Sequence, residues 1–376
     1  MLTKLDDYPI HQHAEPIAIV ATSDRYAYDR YWYNGHDKEG TYFFAVAFGR
    51  YANLGITDAS LSFVIDGQQH AFHASRRAPN DPTDLSIGPF ELQILEPMGR
   101  HRIVIGPNST GIECDLEFMP RTGVVKEKRQ TLRNERHVVM DTCRMDQFGR
   151  WRGWIRYHGD LLQLPGDETL GMKDRSWGIR PVGERYQGGA PIDRFVATHF
   201  FWVPIHWENE CTIAGWFEDS DGYQWHNDQV FLPTYANTES IPEINDPNMV
   251  IWQGEIQHQF KLKPGTRRLQ HAQISMTNRF RDQLEIEIGT PSIVFGMNGL
   301  GYQHPKWAHG QWHGELVVEA EQWSVEDCDP LALENVHVQQ VVTARRGDEV
   351  GYGVVEQMNI GPYLPWGLND WFDGVT

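Results

Sequence analysis

A chain of 376 residues with 40% hydrophobic content is long enough for two domains of ordinary size, each burying a core of its own. A formal net charge of −18 argues against nucleic acid and anionic lipid surfaces as partners, because both are bound by clustered Lys and Arg. The four cysteines form no CxxC pair, which excludes a zinc ribbon and a thioredoxin-like redox motif, and they read as buried thiols.

Met1 to Gln12 carries no apolar core of signal-peptide length, and no later segment approaches an unbroken membrane span. A cytoplasmic protein without stable membrane insertion is therefore expected. The period-two signal begins at Leu61, Phe63 and Ile65, returns at Phe90, Leu92 and Ile94, and is clearest where Ile112, Cys114, Leu116 and Phe118 alternate with Glu113, Asp115 and Glu117. It reappears in the second half, with Ile256, Phe260 and Leu262 on one strand face around His258, and with Leu284, Ile286 and Ile288 around Glu285 and Glu287. Tight turns are expected at Asp66-Gly67, Asp221-Gly222, Pro264-Gly265 and Gly347-Asp348, where Gly, Asn and Asp tolerate positive φ. No amphipathic helix longer than about three turns emerges. With 35 Gly and 21 Pro between short strands, the pattern is all-β, a barrel or sandwich rather than βαβ units. The best break is the Gly- and Pro-rich stretch from Gly178 to Asp193, which divides the chain into residues 1–180 and 181–376.

The most distinctive segment is Gly171 to Arg180, GMKDRSWGIR, which packs an acid, two arginines and a tryptophan between glycines expected to let the backbone turn sharply. In this stretch the sequence resembles the lipocalin-like family that includes carotenoid 1,2-hydratases (hydroxyneurosporene synthases) and fungal Diels–Alderases, whose members often carry Asp-x-x-Trp-Gly at the domain junction. The matching residues are Asp174, Trp177 and Gly178. The likeness is greatest to bacterial, largely uncharacterised members with a GxxDRSWGxR core, which share Trp32-Tyr33-Asn34 and the late segment Gly351 to Val354. It spans most of the chain, and only the central motif is specific. The resemblance implies two tandem lipocalin-like (calycin) antiparallel β-barrels, a ligand cavity in or between them, and cofactor-free chemistry on terpenoid or polyketide-like molecules.

A carboxylic acid among apolar walls is held protonated near neutral pH, because desolvation penalises the carboxylate, and can then protonate an alkene or enol ether. Asp174 is the candidate acid. The alternative is that Asp174, between Lys173 and Arg175, is an ionised member of a salt-bridge network locking the barrels together. His199, His206 and His226 are further catalytic candidates, in an aromatic setting that includes Phe200, Phe201, Trp202, Trp207, Tyr223 and Trp225, and His226 has Asp228 on its own strand face. Each is equally read as a hydrogen-bonded structural histidine. Trp177, Trp202, Tyr223 and Trp225 are candidate substrate walls whose π faces would steady a carbocation, and Arg175 or Arg180 would orient a polar substrate end.

The cluster His304, His309 and His313 invites a metal reading, but Gly310 weakens helical i,i+4 geometry and a strand would space the last two too widely. No metal and no cofactor is expected. There is no G-x-S-x-G elbow, Walker A loop or G-x-G-x-x-G after a strand, so ATP, nicotinamide and serine-hydrolase mechanisms are disfavoured. The favoured reading is a cofactor-independent lyase or isomerase acting on a hydrophobic small molecule. A non-catalytic lipid or isoprenoid binding protein is the alternative. A carbohydrate-active protein comes third, because it needs two facing acids about 5–10 Å apart and the sequence names no such pair.

Overall fold

The computed structural model describes residues 2–134, 136–183, 197–242 and 244–376. Among them every regular element is a β-strand or a short 3₁₀ turn. The alternating segments form strands: Ile56–Ile65, Phe90–Ile94, Glu113–Pro120, Gly254–Leu262 and Gln283–Ile288. Asp66 and Gly67, at φ 50° and 73°, close the hairpin between Ile56–Ile65 and Gln68–Arg77. Gly222, Gly265 and Gly347 also adopt positive φ, as their turns require.

The strands make two antiparallel sheets, each curled into a nearly closed barrel. The first has 14 strands, and its main path runs from Leu316–Ser324 through Gln68–Arg77, Ile56–Ile65, Tyr42–Tyr51, Ala27–His36, Leu170–Ile179, His137–Tyr157, Glu113–Pro120, His101–Ile105 and Phe90–Ile94 to Ser86–Ile87. Its two ends meet where Gly88 lies against Leu316 and Val318. The second has 10 strands, with Ile293–Gly296 paired to His337–Arg346 off a main path that runs from Val250–Trp252 through Gln224–Pro233, Glu210–Glu218, Thr198–His206, Glu349–Ile360, His337–Arg346, Gln283–Ile288 and Leu269–Asn278 to Gly254–Leu262. Side chains help to close it: Gln224 and Asn227 donate to the carbonyls of Ile256 and Gly254 at 2.7 and 3.2 Å.

The division expected at residue 180 falls between Leu170–Ile179, in the first sheet, and Thr198–His206, in the second. Residues 184–193 of the expected linker lie outside the described residues. One strand crosses that division: Leu316–Ser324 pairs with Gln68–Arg77 along its whole length, from Leu316 opposite Arg76 to Ser324 opposite Gln68.

Among the described residues, the three largest apolar cores follow from this arrangement. One, around Tyr33, Phe44, Phe118 and Trp151, fills the first barrel. Another, around Phe201, Trp216, Ile274 and Val355, fills the second. The third contains residues of both sheets, among them Trp32, Phe43, Phe148 and Met172 from the first and Phe200, Trp202, Ile213 and Phe295 from the second. The barrels thus pack outer face to outer face over a shared apolar layer. Strands on this seam are covered on both sides, and every residue of Ala27–His36 and Tyr42–Tyr51 is buried.

The Gly171–Arg180 segment lies mostly within a strand, which corrects the expectation of a sharp turn. Its glycines answer a different need, close approach. A Cβ on Gly171 would sit 2.1 Å from the Asn34 carbonyl oxygen, and Gly178 adopts φ +130° with the Asp141 carbonyl where its Cβ would be. Of the four thiols, Cys114 and Cys211 are buried, while Cys143 and Cys328 are partly exposed.

Candidate active site

A cavity of about 500 Å³ opens in the seam between the two barrels rather than in either lumen. The strand register explains its composition, because directly paired residues of antiparallel strands share a face. On the first sheet Asp174 is flanked by Trp32 on one neighbouring strand and Asp146 on the other. On the second sheet Glu356 is flanked by Trp202 and Gln339. The two rows meet across the seam: the Trp32 and Trp202 rings contact edge to face at 6.1 Å, and Asn34 donates to Gln339 at 3.0 Å. Apolar walls come from Met140, Phe200, Phe217, Trp225 and Met358, and Arg144, Arg180, His309 and His337 complete the polar part.

The charges around Asp174 do not balance. Arg144 Nε lies 3.2 Å from Asp174 Oδ2, and its Nη1 lies 3.4 Å from Glu127 Oε2, so one guanidinium serves a part-buried and a buried carboxyl while the buried Asp146 is paired with Asp174 across the strands. Burial pushes Asp174 above the ordinary carboxylate range; Arg144, Arg180 and Arg30 oppose that rise, and Glu356 adds to it. Asp146 is raised well above that range, by burial and then by the charges of Glu127 and Asp174, and Glu127 is raised by burial. Protons are retained in such a cluster because several like charges cannot share one cation in a low-dielectric site. Asp174 Oδ1, Trp32 Nε1 and Trp202 Nε1 have no hydrogen-bond partner among the described residues, so the wall holds polar groups for a ligand to satisfy.

Of the residues singled out in the sequence, Asp174, Arg180, Trp202 and Trp225 line this cavity together. Arg180 is held against Tyr28 and Tyr302, with its guanidinium 4.9 and 5.4 Å from the ring centroids. Arg175 lies on the opposite face of its strand, 2.6 Å from Asp29 and 4.6 Å over the Tyr31 ring. Trp177 stacks on His11 at 5.5 Å. His199 shares the face of Phe201, packs 4.2 Å from Tyr363 and contacts the Pro362 carbonyl at 3.0 Å, and burial brings its pKa down to about 4. His226 is paired with Asp228 at 2.7 Å, outside the cavity wall. Tyr223 is 69% exposed.

The histidine cluster separates in space. His309 joins Arg30, His313 packs on Trp307, and His304 meets His73 and Glu321. That last trio has donor atoms within 4.8 Å of one another. Its hydrogen bonds do not suit a metal: His304 Nδ1 accepts the Trp307 and Lys306 amides, so Nε2 carries the proton and donates it to Glu321. Burial opposes ionisation of Glu321, but hydrogen bonds from His304 and His73 outweigh it and hold its pKa at about 2.

Sequence reasoning did not single out Arg144, Asp146, His337 or Glu356 as site residues. The available signal was a charge on an otherwise apolar face, as in Val354, Glu356 and Met358.

The chain belongs to the family of unknown function DUF8625, which it matches over residues 2–369. No curated protein matches it. Among solved structures it is similar to a protein of Nitrosomonas europaea provisionally named ATTH (NE1406), with a TM-score of 0.52 and 12% identity over 88% of this chain and 92% of that one. It is also similar to kievitone hydratase from Nectria haematococca, with a TM-score of 0.51 and 11% identity over 88% of each chain. At such identities the likeness is one of fold.

Proposed function

We propose that the chain is a cofactor-independent lyase or isomerase, a hydratase, dehydratase or cyclase, that acts by acid–base catalysis on a hydrophobic terpenoid or polyketide-like molecule. Asp174 is the general acid. The observation that carries this reading is a part-buried carboxyl on the wall of an apolar cavity, displaced towards its protonated form by desolvation beside the acids Asp146 and Glu127. Trp32, Trp202 and Trp225 hold the substrate body, and Arg180 holds a polar end. The kinship in fold with an enzyme named as a hydratase supports the same reaction class.

A second reading is favoured by one contact. The approach of Arg144 to Asp174 at 3.2 Å is also what a structural ion pair would show, and the cavity would then hold a lipid or isoprenoid unchanged. The test is native mass spectrometry after incubation with a lipid-soluble extract. A released molecule differing from its precursor by water, or isomeric with it, and lost in Asp174→Asn, is the expected result. The same ligand bound unaltered by both forms would establish the carrier.

A further inference from the structure

Two histidines line the cavity among the described residues, and they are wired in opposite ways. His309 has an Arg30 nitrogen 2.7 Å from Nε2 and another 3.4 Å from Nδ1, with the Leu300 carbonyl oxygen 2.8 Å from Nε2. Burial and the adjoining guanidinium both oppose a positive charge on that ring. His337 instead faces a carboxylate, with its Nε2 2.7 Å from Glu356 Oε1. Glu356 also accepts from Gln339 at 2.6 Å, and Gln339 is held in turn by Asn34 of the other barrel. Burial opposes ionisation of Glu356, but the hydrogen bond and charge of His337 and the Gln339 amide outweigh it and keep the carboxyl below its ordinary range. An acceptor on Nε2 fixes the tautomer, leaving the lone pair of the neutral ring on Nδ1. That nitrogen is buried and has no partner among the described residues.

We propose that His337 is the general base of the cavity, acting through Nδ1, and that Glu356 is its positioning residue. The inference rests on the acid–base reading of this cavity and supplies the base that its hydratase form requires. Asp174, His337 and Glu356 line the same cavity, so acid and base can act on one substrate. In hydration the alkene π pair takes the Asp174 proton to form a C–H bond. Water oxygen forms the C–O bond at the other carbon, and His337 Nδ1 takes the proton that water gives up. The alcohol leaves behind an Asp174 carboxylate and a His337 imidazolium. A proton then returns from imidazolium to carboxylate through water, which restores both groups.

The test uses 5-nitrobenzisoxazole, an apolar probe that reports a base without the native substrate. Removal of its C3 proton sends the C–H pair into a nitrile, breaks the N–O bond and releases a coloured nitrophenolate. The whole protein should accelerate this reaction beyond free imidazole at equal concentration, with a rate that rises with pH through one ionisation. His337→Gln should lower the rate roughly 100-fold. Glu356→Gln should keep part of the rate and move the pH midpoint down, since the imidazolium loses its carboxylate while Tyr302 and His309 still face it. No acceleration by the unaltered protein, equal rates in folded His337→Gln, or an unmoved midpoint in Glu356→Gln would overturn the proposal. The two readings fail separately. Product formation from extract with no effect of His337→Gln on the probe removes the base alone, whereas a His337-dependent probe reaction with no product from extract removes the proposed function.

Discussion

The two faces of the strand Leu170–Ile179 carry opposite charges, cations towards the first barrel and an acid towards the seam, and the carboxyls on the two sides are treated in opposite ways. Towards the first barrel, Lys173 reaches Asp7 at 3.5 Å and Arg175 reaches Asp29 at 2.6 Å. Burial opposes ionisation of those two acids, but Lys173 and His101 around Asp7, and Arg175 and His11 around Asp29, outweigh it and hold both carboxyls below their ordinary range. Towards the seam, Asp174 is pushed the other way. Adjacent residues of one strand are thus assigned different work by which side of the sheet they face. Lys173 ties the N-terminal segment to the barrel through Asp7, and Asp174 is left on the cavity wall with its carboxyl displaced towards the protonated form. The ion-pair partners that the sequence suggested for Asp174 are engaged elsewhere, and its one close cation comes from the neighbouring strand.

This contrast is broken most directly by removing one charge from each face. Arg175→Met should cost about 3–5 kcal/mol in urea unfolding, because Asp29 would be left buried without its guanidinium. Asp174→Asn should change stability by roughly 1 kcal/mol or less while lowering turnover about 10²–10⁴-fold. If Asp174→Asn proves as destabilising as Arg175→Met, the seam face is structural too.

Stability against pH sharpens the comparison. Asp7 and Asp29, held low, stabilise the fold at neutral pH, and that contribution is withdrawn as pH falls from about 4 towards their folded values. Asp146 and Asp174, held high, contribute fully below about 4, and their contribution is lost as pH rises through their folded values. Urea midpoints measured across pH should therefore show Asp146→Asn flattening the alkaline side and sparing the acid side. Asp7→Asn should do the reverse. The smallest effect belongs to a residue on neither face: Tyr223→Ala should change the unfolding free energy by less than about 0.5 kcal/mol and leave extract turnover intact.

The barrels were legible wherever a strand has one wet face, as at Glu113–Pro120, where buried and partly exposed residues alternate. On the seam that signal vanishes. Ala27–His36 is buried on both sides, so period two carries no polarity to read, and Trp32 came forward only through the motif it belongs to. Asp174, Trp202 and Trp225 were found because an unusual motif and a dense aromatic run mark them. Arg144, His337 and Glu356 were missed because each becomes part of the site only through cross-strand register, which pairs Glu356 with Trp202 and Gln339 from distant parts of the chain. Long-range pairing also hid the placement of Leu316–Ser324 in the first sheet.

That borrowed strand sets the order of assembly on the ribosome. The outer edge of Gln68–Arg77 emerges early, with its row of amides and carbonyls open, and stays open until Ser324 has been synthesised. For that whole interval the nascent chain carries a template for pairing with its neighbours, and crowded polysomes are where such an edge finds the wrong partner. Closure of the first barrel is thus one of the later events in folding, and the seam cavity forms only after most of the polypeptide has been made.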